Sequence, residues 1–106
     1  MTIRYKNAKT DLTTTNPTAV LTPANATTAV IKSILVSEDS GNADTITLTI
    51  TAGSDVFSLF KVKAVSANGT VELLSAPLVL AESEILKATA ATANRLHVVV
   101  SFMEIS

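Results

Sequence analysis

The chain contains no cysteine and no tryptophan, and its 106 residues include only three glycines, three prolines, one histidine and one tyrosine. Without cysteine there is no disulfide framework, no thiol nucleophile and no thiolate metal site. Charge is scarce as well: 16% of the residues are charged, eight basic against nine acidic, for a net charge of -1. That balance provides no clustered Lys and Arg footprint for nucleic-acid phosphates, and the charge density is too low for a coiled coil. No window approaches the roughly 18 apolar residues of a membrane-spanning helix. The amino-terminal run Met1-Thr2-Ile3-Arg4-Tyr5-Lys6 lacks the apolar stretch of a signal peptide. The expectation is a soluble protein made in a cytoplasm.

What is present is apolar. At 47% hydrophobic residues the chain is too rich in core-forming side chains for intrinsic disorder, and its length suits one domain. A mass of 11.0 kDa predicts a folded accessible surface of about 5,600 Å². A core that small offsets its ordering entropy only narrowly, so such a chain gains from burying surface against a partner or a copy of itself.

Residues 1–28 are polar and threonine-rich, with Asn16-Pro17 and Thr22-Pro23 as breaks, and read as an extended arm. Within it Ala19-Val20-Leu21 suits pairing at a sheet edge, where the missing donor of Pro23 does no harm. From residue 29 the chain becomes short β-branched runs separated by turn clusters, the pattern of an all-β sandwich or barrel. Residues 29–37 are apolar on both faces apart from Lys32 and Ser33, as in a central strand. Thr45 to Thr51 alternates strictly, with Ile46, Leu48 and Ile50 inward and four threonines outward. Beyond a turn at Gly53-Ser54-Asp55, residues 56–65 place Phe60 and Val62 in the core and Lys61 and Lys63 in solvent. Asn68-Gly69 between Val65 and Val71 predicts a tight hairpin.

Residues 71–74 and 78–80 are two short strands, or one strand bent at Pro77. Residues 85–89 form a further strand, and the alanine tract after it is strand end plus loop. In the last strand Leu96, Val98, Val100 and Phe102 share one face, and His97, Val99, Ser101 and Met103 the other. The second of these bulky faces suits cover by a neighbour. The predicted fold is an antiparallel β-sandwich or jelly-roll-like barrel of about seven to eight short strands, a single domain over 29–106 with the arm 1–28 before it.

Chemistry-bearing residues are few. His97 stands alone, so a transition-metal site or a base would have to be assembled from carboxylates around it, and an enzyme would require His97 clustered with at least two of them. Without that, it is an exposed strand histidine. Glu38, Asp39 and Asp44 share a loop, but not at the alternating spacing of a Ca²⁺ loop, and read as a solvated turn. No nucleophile elbow surrounds Ser66, Ser75 or Ser83, and no glycine-rich phosphate loop exists. Asn25-Ala26-Thr27 and Asn68-Gly69-Thr70 match the glycosylation pattern without a secretion signal to use it. The ladder Thr45, Thr47, Thr49, Thr51 resembles an ice- or glycan-binding row, yet such faces need the pattern on adjacent strands. Arg4, Lys6 and Lys9 make the arm positive, suited either to reaching an acidic neighbour or to a solvated, frayed end. Neither a catalytic site, a cofactor site nor a metal site is expected.

Three stretches carry a resemblance: Ala29-Val30-Ile31-Lys32-Ser33-Ile34-Leu35-Val36-Ser37 with Thr45-Ile46-Thr47-Leu48 after it, Leu78-Val79-Leu80 with Ile85-Leu86-Lys87, and the ending from Ala93 to Ser106. In these the chain resembles small β-rich virion structural proteins of tailed bacteriophages, especially short-tailed phages of marine bacteria. The likeness covers about three quarters of the chain as a strand pattern and holds no catalytic signature. It implies a capsid decoration or cement protein that binds the head shell, without enzymatic activity, cofactor, nucleic acid or membrane, on the capsid surface after synthesis in the host cytoplasm. A head-fibre or tail-associated module, or one binding host glycans, is the alternative. The partners it implies are the major capsid protein or neighbouring virion subunits, with the chain a homo-oligomer or present in many copies. On this reading the arm residues Arg4, Tyr5, Lys6, Lys9 and Leu12 make the contact.

Overall fold

A computed structural model describes residues 1–106. Nine strands and no helix make up the chain: β1 (Ile3–Asp11), β2 (Thr18–Leu21), β3 (Thr28–Glu38), β4 (Asp44–Ala52), β5 (Asp55–Val65), β6 (Thr70–Glu72), β7 (Leu78–Leu80), β8 (Glu84–Ala90) and β9 (Leu96–Ile105). They form two antiparallel sheets. The first has the order β1-β9-β3-β6, with β7 beside β6 on the same flank of β3, and the second has the order β2-β8-β4-β5. The pairs are nested: β1 with β9, β2 with β8, β3 with β6 and β7, β4 with β5. One long hairpin rolled across two sheets produces this order, which is that of a jelly roll. Closure comes from the β3–β9 and β4–β8 ladders.

Period-two sequence explains the layers. Ile46, Leu48 and Ile50 of β4 are buried, as are Leu86, Ala88 and Ala90 of β8 and Leu96, Val98, Val100 and Phe102 of β9. All belong to a single cluster of 19 buried apolar residues between the sheets, so there is one core. In β3, Lys32 is an extra residue opposite the Phe102–Ser101 step of β9. This bulge brings Ile34 and Val36 back to the core face occupied by Ala29 and Ile31.

The structure corrects three expectations. Residues 1–28 are not an arm beside the sandwich: β1 runs along β9 from Ile3↔Ile105 to Asp11↔His97, while β2 edges the second sheet against β8, the edge pairing expected of Ala19-Val20-Leu21. Mostly polar, exposed side chains conceal β1, whose pairing is carried by backbone. Asn68-Gly69 is a turn but not a hairpin, because β5 lies in the second sheet and β6 pairs β3 in the first. Gly69 N–H donates to Ser66 O at 3.0 Å and Asn68 adopts φ 56°, so the local turn chemistry was right while the destination of the next strand was not. Val62 is 61% exposed instead of buried. Two bulges in β5 explain it: Lys61 and Val62 together oppose Thr47, and Leu59 is extra between Phe60 and Ser58. Of the two alternatives for residues 71–80, the structure has two separate short strands, both on β3. The remaining hairpin, β4 to β5, turns at Gly53-Ser54 with Gly53 at φ 62°, where a residue with a Cβ is disfavoured.

Candidate functional site

β9 presents His97 outward in the row Asp11, His97, Ser37, formed by adjacent strands β1, β9 and β3. The ring lies between two carboxylates, with Nε2 3.3 Å from Asp11 Oδ1 and Nδ1 3.6 Å from Asp39 Oδ2. The clustering with two carboxylates that sequence reasoning required of an enzyme is therefore present. Its geometry is unsuited to metal binding. The carboxylates sit on opposite edges of the imidazole, so the three groups do not converge on one ion. No hydrogen bond links the Ser37 hydroxyl to the ring, and no group of three or more metal-ligating side chains is gathered anywhere in the chain.

Glu38, Asp39 and Asp44 diverge. Asp39 turns to His97, Asp44 Oδ2 accepts from Thr92 N at 3.1 Å, and Glu38 folds inward to 1% exposure. This replaces the expected solvated turn. The Glu38 carboxylate accepts N–H groups from Ser40 at 2.8 Å, Gly41 at 3.1 Å, Asn42 at 3.1 Å and Asn68 at 3.0 Å, together with the Ser40 hydroxyl. Burial by itself pushes this acid up. The hydrogen bonds outweigh burial and hold its pKa at about 2, against 4.5 ordinarily. A Ca²⁺ loop is not what these residues build; Glu38 ties the β3–β4 turn to the turn at residues 66–69.

Glu72 performs a second capping task. Between β6 and β7, β3 has no ladder partner, and there Ile34 N–H donates to Glu72 Oε2 at 2.8 Å while Leu73 N–H donates to Ile34 O at 2.9 Å. Burial raises this carboxyl too, but the Ser33 hydroxyl and the N–H groups of Ile34, Leu74 and Leu73 hold it below its ordinary value. Sequence reasoning missed Glu38 and Glu72 in these roles, since their donors lie as far away as position 68 in one case and position 34 in the other.

The five proposed contact residues separate. Leu12 is fully buried and is no contact: its N–H donates to Leu96 O at 3.0 Å and its carbonyl accepts Asn94 N–H at 2.9 Å, closing one end of the core. Arg4, Tyr5, Lys6 and Lys9 are exposed. Alternation along β1 puts Tyr5 and Lys9 on the outer face of the first sheet and Arg4 and Lys6 on the other side. Lys6 Nζ pairs with Glu104 Oε1 at 3.2 Å.

Two outer faces remain. On the second sheet Thr47 stands opposite Thr89 and Thr49 beside Ser58, but Thr51 meets Ile85 and Val56, so the hydroxyl ladder is not repeated across strands. On the first sheet, register aligns Tyr5, Met103, Val30 and Val79 in one apolar row across four strands. Tyr5 is 81% and Val79 57% exposed. Two rows further on lie Lys9, Val99, Leu35 and Glu72, with Asn7, Ser101 and Ser33 between. An open depression of about 430 Å³ sits at the end of the second sheet, but Asp44 is held by Thr92 and Arg95 Nη1 donates to Ala43 O at 3.0 Å. Its charged groups are already engaged. Among known proteins, no family model and no curated sequence matches this chain.

Proposed function

We propose that the chain is a structural subunit of a bacteriophage particle, decorating or cementing the head shell without catalysis. The observation that carries this reading is β1: an edge strand exposed along its length, its outer backbone edge unpaired, with Arg4, Lys6 and Lys9 against the single acid Asp11. An open basic edge suits an acidic shell surface. Such charges steer docking and fix orientation, and many weak copies hold a shell together where one would not. The stretches carrying the likeness to phage virion proteins are β3, β4, β8 and β9, the four inner strands of the jelly roll, with the edge strand β7. Each copy hides its edge only on the assembled shell.

The test uses particles of the phage that encodes the chain. Wild-type protein added back to particles stripped of it should restore occupancy and raise the rupture temperature, and Arg4→Glu should restore little of either. Full occupancy by the charge-reversed protein would remove β1 from the contact. Absence of the chain from purified particles, with binding on a glycan array instead, would replace the reading with that of a host-glycan module.

A further inference from the structure

We infer that the outer face of the first sheet is an interface between two copies of this chain, related by a two-fold axis running parallel to the strands. Two rows support the assignment. The apolar row spans the sheet from Tyr5 to Val79, and the second row carries a cation at one end, Lys9 on β1, and an anion at the other, Glu72 on β6. A two-fold along the strands lays each row over its own reverse. Tyr5 then faces the second copy's Val79, Met103 faces Val30, Val99 faces Leu35, and Lys9 faces Glu72 twice by symmetry. Apolar meets apolar in both rows and Lys9 meets Glu72, while Lys32, exposed on β3 between the rows, faces the second copy's Ser101 and carries its ammonium out to solvent along its own stem.

The other face-to-face arrangement, with the axis along the rows, exchanges the two rows. It would seat Lys9 on Tyr5 and Glu72 on Val79, burying two charges without partners. The charge pattern therefore selects one geometry. Four strands at about 4.8 Å spacing and nine residues at about 3.4 Å give a face near 600 Å² per copy, about 1,200 Å² in total, at the lower end of stable interfaces. A dimer dissociating in the micromolar range is expected. The inference concerns the free chain and stands apart from the particle assignment.

The experiment is sedimentation velocity of the full chain over a hundredfold concentration range, joined to cross-linking that the absence of cysteine makes clean. Wild type should pass from monomer to dimer. Lys9→Glu, which leaves Glu72 on its backbone donors, should weaken the dimer at least tenfold. In facing sheets about 10 Å apart, Tyr5 and the second copy's Val79 are opposite, whereas the two Tyr5 positions are offset by about three strand spacings. A thiol-to-thiol reagent spanning about 10 Å should therefore link Tyr5→Cys to Val79→Cys when the two single variants are mixed, and link neither efficiently to itself. Both sites are exposed, so the variants should fold, which circular dichroism checks. A monomer at every concentration overturns the inference, as does a dimer that Lys9→Glu leaves intact or one that links Tyr5→Cys to itself.

Discussion

Four backbone N–H groups and one hydroxyl converge on the Glu38 carboxylate, and this concentration of donors makes the charge indispensable to two turns at once. Glu38→Gln retains the shape but turns an amide donor toward N–H groups that need an acceptor. The melting temperature should fall by on the order of 10 °C, read by circular dichroism. Because the folded carboxyl titrates at about 2 and an ordinary one at 4.5, its contribution is complete above the higher value and is lost as pH falls toward the lower. The gap between wild-type and Glu38→Gln urea midpoints should thus stay constant above pH about 5 and close below it. Glu72, also held low by its donors, adds to the loss of stability as its carboxylate is protonated in acid. Val62 is a different kind of residue: a β-branched side chain at φ 55°, 61% exposed, in the β5 bulge. Asparagine tolerates that conformation far better. Val62→Asn should stabilise the fold by about 1 kcal/mol while keeping the N–H bond to Thr47 Oγ1, measured as a higher urea midpoint.

At the scale of elements, β1 and Leu12 tie the beginning of the chain into the core. Removing residues 1–17 would expose one side of β9 and delete Leu12, so such a truncation tests folding before it tests any contact. Leu12→Ala alone should destabilise by about 2–5 kcal/mol, and unfolding in urea measures it. Strands β4 and β9 were legible because a buried face imprints period two on sequence, and β3 because a central strand is apolar on both faces. β1 was not, because seven of its nine residues, all but Ala8 and Thr10, give no such imprint: Ile3 through Asn7, Lys9 and Asp11 are all exposed, and only the ladder to β9 makes it a strand. Val62 was misplaced for a third reason. Alternation from Phe60 predicts it inward, and an inserted residue reverses every side chain beyond it. The histidine cluster needed tertiary structure altogether, since Asp11, Asp39 and His97 meet only through rolling of the hairpin.

For the whole molecule, mass alone predicted about 5,600 Å² of surface, and the folded chain exposes 5722 Å². Part of that surface is apolar and ordered into rows by strand register, which is how a small core leaves side chains for others to cover. The nested pairing has one more consequence, at the corner where β1 begins and β9 ends. Thr2 N–H donates to Ser106 O and Ser106 N–H to Thr2 O, both at 2.9 Å, so the backbone nearly forms a ring. A linker of two or three glycines joining these positions, with the chain cut at the exposed Gly53 turn, should yield a circular permutant of unchanged fold, checked by its near-native circular dichroism and melting temperature. Peptides fused to either end would emerge from the same corner, side by side.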